Sequence, residues 1–409
     1  MRIIIAGAGI GGLSAALSLH AAGYKEIVLL ESAREIQQVG VGLNLPPHAV
    51  RELVELGLGP ELERAGWQTK ELVYYDAQGL PIWAEPRGLN AGYRWPQYSI
   101  HRGRLQQLLL DAVRKRIGPR SVLTGLRVVA VEQQANQVCL RCVEGGALAA
   151  FAHEADLLIG ADGIRSVVRE ATLGEMPLST NGWTMYRGAV KAPPFLGGHS
   201  MVIVGDEQRR AVIYPIDGET LNWLIVRPGS SESVELGNWN RPIEASSVAE
   251  HVRDWAFDWL NIPVLVNATS TVYEYPMADI EPLERWTTGR VTLLGDAAHA
   301  MYPFGSNGAS QAILDGRVLA QSLARHASVI DGLAAYENAR REQVAAVQRA
   351  NRTQAGDVMA RVSQLARTGQ HGSAADELKA VEQKYKRLAG FDVSALNERA
   401  SFSVNSLDH

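Results

Sequence analysis

The chain opens with an unbroken apolar run, Ile3-Ile4-Ile5-Ala6, of the length and uniformity of a strand buried on both faces. A glycine cluster follows at Gly7-Ala8-Gly9-Ile10-Gly11-Gly12, and Leu13 to Ala22 then reads as a helix closed by Gly23. A second apolar run, from Ile27 to Leu30, stops at Glu31. Strand, G-x-G-x-x-G, helix, strand and acidic residue stand in the order of a dinucleotide-binding unit.

Beyond Lys70 the pattern changes. Short pieces such as Met201 to Val204 and Ala211 to Tyr214 predict strands, and Trp83, Trp95, Trp183, Trp223, Trp239, Trp255 and Trp259 all fall in this middle part. Arg104 to Arg116 looks helical, Ala155 to Gly160 is another buried-strand run, and the nucleotide-binding texture returns at Val291 to Leu294. After Gln311 the chain reads as mainly helical. Ala334 to Arg367 predicts one or two helices, Thr368 to Ser373 a break, and the last eight or so residues a mobile tail. The expected fold is α/β. A Rossmann-type domain from 1–72, 99–175 and 280–349 carries an inserted β-rich substrate domain from 73–98 and 176–279, with a C-terminal helical segment and tail over 350–409.

Composition narrows this reading without redirecting it. The 409 residues exceed one ordinary core, and 40 basic against 44 acidic residues give a formal charge of -4 with no basic block, so nucleic acid is not an expected partner. No stretch approaches the roughly 20 apolar residues of a membrane span. Cys139 and Cys142 are the only cysteines. They fall in a predicted strand, Val138 to Val143, where positions three apart face opposite ways, so ordinary packing is expected rather than a metal site. Free thiols fit a reducing, cytoplasmic location.

Each glycine of the first motif has its own task. Gly7 permits the tight turn, Gly9 lets a pyrophosphate approach the backbone, and Gly12 lets helix pack on strand. The helix N-terminus offers free N–H groups to the phosphates, and Glu31, 19 residues beyond Gly12, is placed to accept from a ribose. Two later motifs each follow an apolar strand and open a helix: Gly160-Ala161-Asp162-Gly163-Ile164-Arg165-Ser166, and Leu294-Gly295-Asp296-Ala297-Ala298-His299 with Pro303 and Gly305-Ser306-Asn307-Gly308 behind it. Asp162 and Asp296 also suit helix capping, which is compatible with ligand binding.

With these three motifs in this order the chain resembles the group A flavoprotein monooxygenases, the para-hydroxybenzoate hydroxylase family, over about residues 1 to 350. Gly40-Val41-Gly42-Leu43-Asn44, Tyr98-Ser99-Ile100-His101-Arg102 and the block from Gly295 to Gly316 are similar to bacterial phenazine hydroxylases; the Ile216 to Glu219 loop and the C-terminal tail differ from them. The resemblance implies FAD as cofactor, NADH or NADPH as co-substrate, and O2 delivered through a C4a-hydroperoxyflavin to a small aromatic acid or phenol. It implies FAD contacts at Gly7, Gly9, Ile10, Gly11, Gly12, Glu31, Ser32, Val41, Gly42, Arg102, Leu126, Asp162, Asp296, Gly305, Gly308 and Ala309, and it sets Pro303 over the flavin ring. The helix from Gly308 would turn its N–H groups to the flavin edge that becomes anionic on reduction.

Substrate contacts are less defined. Tyr186 and Tyr214 are candidates to stack on or hydrogen bond an aromatic guest, with packing as the other reading of each. Tyr186 and Arg187 cannot share a pocket if Thr184 to Gly188 is a strand. Arg187 suits a substrate carboxylate or a structural ion pair; His48 suits substrate or solvent. No Ser-His-Asp or metal constellation is expected, because the flavin carries the hard chemistry. Phenazine-like acids come first as substrates, then salicylate- or hydroxybenzoate-like ones, with oxidative decarboxylation left open. A flavin-dependent reductase of the same fold and a non-catalytic flavin module stay open, as does a homodimer. A halogenase is disfavoured, since W-x-W-x-I-P is absent.

Overall fold

The computed structural model describes residues 1–37, 41–144, 147–229, 241–353 and 358–404. Gly40, Trp239 and the end of the expected tail, 405–409, lie outside the described residues. A six-stranded sheet, built from the described strands, forms the first layer. Its centre is Arg2–Ala6, paired in parallel with Glu26–Glu31 on one side and Leu157–Gly160 on the other; Val122–Thr124 and Val291–Leu293 extend it in parallel, and Thr287–Thr288 closes it antiparallel. Helix Ile10–Ala21 packs on it, and Gly308–Arg325 packs on that helix. Ile3, Ile4, Ile5, Leu158 and Leu293 are fully buried, which is why these runs show no polar alternation.

The second sheet has eight strands, drawn from Glu71–Tyr75, Pro81–Pro86 and six segments between Ser179–Lys191 and Val272–Asp279. Its register decides what each side chain can reach. Arg187 stands opposite Leu224, and Leu224 opposite Val212; Arg210 stands opposite Val226, which faces Met185. These residues therefore share one face with Tyr74, Met201 and Tyr214, while Tyr186, Ile213 and Trp223 lie on the other. The second face is closed: Trp223, Trp255 and Val266 are fully buried, and Trp223 Nε1 donates to Thr269 Oγ1 at 2.8 Å.

The C-terminal helices, Met359–Arg367 and His371–Leu388, roof the first face, with Val362, Leu378 and Val381 packed against Leu72, Tyr74 and Met201. The break between them covers only Thr368 to Gln370, shorter than expected from sequence, because Gly369 at φ 76 stops one helix and the next begins at His371. The expected tail is anchored at its start. Phe402 packs on the core and its N–H donates to Glu52 Oε2 at 3.3 Å. Cys142 is buried and Cys139 partly so in the Val138–Glu144 strand, both as free thiols. Among the described residues, no helix is long and apolar enough to cross a membrane.

Candidate active site

The glycine cluster makes a cleft by two different means. A side chain on Gly12 would come within 2.1 Å of the Gly7 carbonyl oxygen, and one on Gly7, at φ 105, within 2.3 Å of the Ala161 oxygen. Those two glycines exist so that strand, helix and the Asp162 loop can touch. At Gly9, Gly163 and Gly308 the space above the backbone is empty. All three line one cleft, so the opening is a cradle that three missing Cβ atoms leave clear.

One end of the cleft, about 470 Å³, is walled by Gly7, Gly9, Glu31, Ser32, Arg102, Leu126 and Asp162. Glu31 Oε2 accepts from Ala8 N–H at 2.9 Å and Oε1 from Ala33 N–H at 2.8 Å, which aims the carboxylate at the cleft with lone pairs to spare. Asp162 is a wall that also braces the next helix, whose N-cap is Ser166: it accepts from Ser166 Oγ and from Val168 N–H at 3.1 Å. Burial pushes its carboxyl up, against those bonds. Arg169, unnoticed in the sequence, donates to the Ala297 and Ile164 carbonyls at 2.9 and 2.6 Å and ties the Asp162 loop to the Asp296 loop.

The other end, about 360 Å³, takes in Ile10, Gly11, Val41, Gly42, Arg102, Asp296, Gly308 and Ala309. Asp296 is exposed there beside Gly295, whose φ of 59 turns the chain. Asp315 holds that turn, accepting from Gly295 N–H at 3.0 Å and from Arg340 at 2.9 Å, with His299 Nε2 at 2.6 Å. Burial alone would raise Asp315, but His299 and Arg340 keep it below the usual carboxylate range. An acid inside the apolar Gln311 to Gly316 stretch was the available signal for it. Asn222, on the second sheet, accepts from Gly42 N–H at 2.6 Å and fixes the Val41 segment. The helix Gly308–Arg325 begins without a side-chain cap, so its first N–H groups stay free toward the cleft. Asn307, its N-cap, points instead to His48, at 3.1 Å.

An inner cavity of about 140 Å³ adjoins this end across Pro303, Ser306, Tyr214 and Leu224. Its walls are mostly apolar and aromatic, and Gly305 is covered by the ring of Tyr385 from the C-terminal helix. Tyr214 faces it; burial pushes the phenol up, against the pull of Arg187. Tyr186 does not face it. Strand alternation sends Tyr186 into the closed core beside His251, so of the two tyrosines only Tyr214 reaches the cavity. His48 reaches neither cavity nor solvent. It is fully buried, stacked on Phe391 at 4.6 Å, and burial lowers its pKa to about 3. Arg187 forms no ion pair among the described residues; its guanidinium lies 3.6 Å over the Tyr275 ring on the cleft wall, and burial, with Arg102 nearby, lowers its pKa to about 9. It is still a cation at neutral pH.

The family model described as FAD binding domain matches residues 1–351. The chain belongs to this family. Phenazine 1,6-dicarboxylic acid hydroxylase PhzS of Lysobacter antibioticus is 43% identical over 363 residues, covering 86% of this chain and 89% of that protein. 3-Hydroxybenzoate 6-hydroxylase 1 of Aquipseudomonas alcaligenes is 32% identical, covering 85% and 86%. Klebsiella pneumoniae HpxO, solved with FAD and uric acid, superposes with a TM-score of 0.80 at 24% identity over 95% of this chain and 96% of that one, which shows the common fold. The kinship makes the chain an FAD-dependent monooxygenase of the aromatic hydroxylase type. The open ground at Gly9, Gly163 and Gly308 and the uncapped helix fit that cofactor.

The two kinds of glycine give opposite expectations. Gly9→Ala should fold and melt like the wild type but bind FAD at least tenfold more weakly, because its methyl group occupies the cradle; Gly12→Ala should lose roughly 1–3 kcal/mol or more of stability through overpacking. Thermal melting and a flavin fluorescence titration check both, and normal FAD binding by Gly9→Ala would contradict the cradle.

His48 gives a pH dependence. The unfolded chain protonates this residue near pH 6.5 while the folded one resists to about 3, so its contribution falls as pH drops through that window. In chemical denaturation, stability lost between pH 6 and 4 should shrink in His48→Gln by about 1 kcal/mol per pH unit. Unchanged slopes would refute it.

Proposed function

We propose that the enzyme hydroxylates a fused-ring aromatic acid of the phenazine type, with NADH or NADPH as reductant. The observation that carries this is the inner cavity: a mostly apolar, aromatic-walled chamber that meets the flavin-sized cleft at Pro303 and Tyr214. The 43% identity to a phenazine dicarboxylic acid hydroxylase supports the ring system. A single-ring hydroxybenzoate is the second reading, favoured by the 32% relative. The reductant's nature supports a cytoplasmic location.

FAD, when bound and reduced, supplies an electrophilic oxygen atom derived from O2. The chain's residues do the rest. Gly9 and Gly163 would let the cofactor lie against backbone, Glu31 would hold its ribose, and Asp296 and Arg102 would hold its central chain. The free N–H groups of Gly308 and Ala309 stabilise negative charge on the ring. Pro303 walls the space where substrate and ring meet. Tyr214, a phenol that burial pushes further from ionising, donates to a hydrogen-bond acceptor on the substrate. Arg187 adds positive potential at the same junction. The roof of Leu378, Val381, Tyr385 and Phe391 excludes water, which protects the oxidant from unproductive decay.

The test is nucleotide oxidation by the purified holoenzyme with phenazine, quinoline, salicylate and hydroxybenzoate acids, with product mass measured alongside. A phenazine carboxylate should accelerate oxidation most and gain one oxygen, with or without loss of carbon dioxide. Acceleration with hydrogen peroxide as the only product, or by none of the acids, would refute the proposal.

A further inference from the structure

Among the described residues five arginines are deeply buried, and four of them are satisfied. Arg51 and Arg317 bond Glu52, Arg340 bonds Asp315, and Arg169 bonds two carbonyls. Arg210 is the exception. Among the described residues it has no ion pair and no side-chain hydrogen bond, its Nε is buried without a partner, and its near neighbours are the Phe304 ring, 5.3 Å from the guanidinium, and Tyr74. A buried cation with no counterion is costly unless something else neutralises it.

The cavity it lines does not supply that neutralisation. Among the described residues its one lining acid, Glu382, already accepts from Tyr74 Oη at 2.8 Å and pairs with Arg87 at 3.3 Å. Arg210 is thus a charge in excess inside a mostly apolar chamber, and burial leaves it cationic at neutral pH, with its pKa lowered to about 10. Tyr214 lies four residues further along the same strand and on the same face, so the two Cα atoms are ~13 Å apart. A fused-ring guest held between them would meet a cation at one end and a phenol at the other.

We infer that Arg210 determines specificity by taking the carboxylate of the aromatic acid inside the inner cavity, beside Phe304. The inference deepens the proposed function and rests on it. A guanidinium meets a carboxylate through paired, charge-assisted hydrogen bonds, whereas a carboxamide of the same shape lacks the charge.

The test titrates wild-type, Arg210→Gln and Arg210→Lys holoenzyme with phenazine-1-carboxylate and phenazine-1-carboxamide, read by perturbation of the flavin spectrum, and records melting without aromatic ligand. Wild type should prefer the acid. Arg210→Gln should bind the acid about 30- to 100-fold more weakly, as expected when one partner of a buried charge pair is removed, and the amide nearly as before. Arg210→Lys should recover part of the loss, and Arg210→Gln should melt at or above the wild-type temperature. Retained preference for the acid in Arg210→Gln overturns the inference alone. So does equal loss of both probes with a lowered melting temperature, the mark of a structural residue. A wild type that binds neither probe overturns the phenazine reading, and the inference falls with it.

Discussion

Successive side chains of a strand face opposite sides of its sheet, and in the eight-stranded sheet only one side is available for chemistry. Trp223, Trp255 and Val266 fill the other side to completion. Every polar group that this sheet offers the site must therefore come from one parity: Arg187 on one strand, Arg210 and Tyr214 on another, Asn222 on the strand between. The same rule makes the cavity wall mostly apolar, because Met201, Ile203, Val212 and Leu224 fill the remaining places.

The nucleotide-binding sheet imposes a different constraint, close approach of backbones. Gly7 lies too close to the Ala161 carbonyl, and Gly12 to that of Gly7, to admit a Cβ, which brings the Asp162 loop against the first helix and leaves Gly9 and Gly163 facing open space. Asn222 joins the two constraints. Its acceptance from Gly42 N–H couples the wall of the flavin cleft to the sheet that carries Tyr214. Cleft and cavity are held in register by one short hydrogen bond and a shared loop, Pro303 to Asn307. In that loop Gly305 and Ser306 both take positive φ.

The nucleotide-binding half was legible because its signals are local: an apolar run, a spaced glycine set and an acid at a strand end need no knowledge of the remaining chain. The substrate half was not. Parity showed that Tyr186 and Arg187 face opposite ways, but which face is covered depends on Val248, Trp255 and Val266, distant in sequence. His48 looked like a surface or site residue after two prolines; its burial comes from Phe391, more than three hundred residues away. The C-terminal segment read as helices without a role, yet Tyr385 and Phe391 complete the cavity, since a roof is defined only by what it covers. An arginine opening an apolar strand, as Arg210 does, reads as a solvent-facing edge until the missing counterion is seen.

The glycine-lined cleft and the aromatic cavity form one continuous site whose junction is Pro303 and Tyr214. A crystal structure of the holoenzyme with phenazine-1-carboxylate tests it most directly. Flavin is expected along the Gly9, Gly163 and Gly308 cradle, with the aromatic ring in van der Waals contact with Pro303 and Tyr214, beneath Tyr385. An aromatic ring bound on the Tyr186 face, or at the surface with the inner cavity empty, would contradict it.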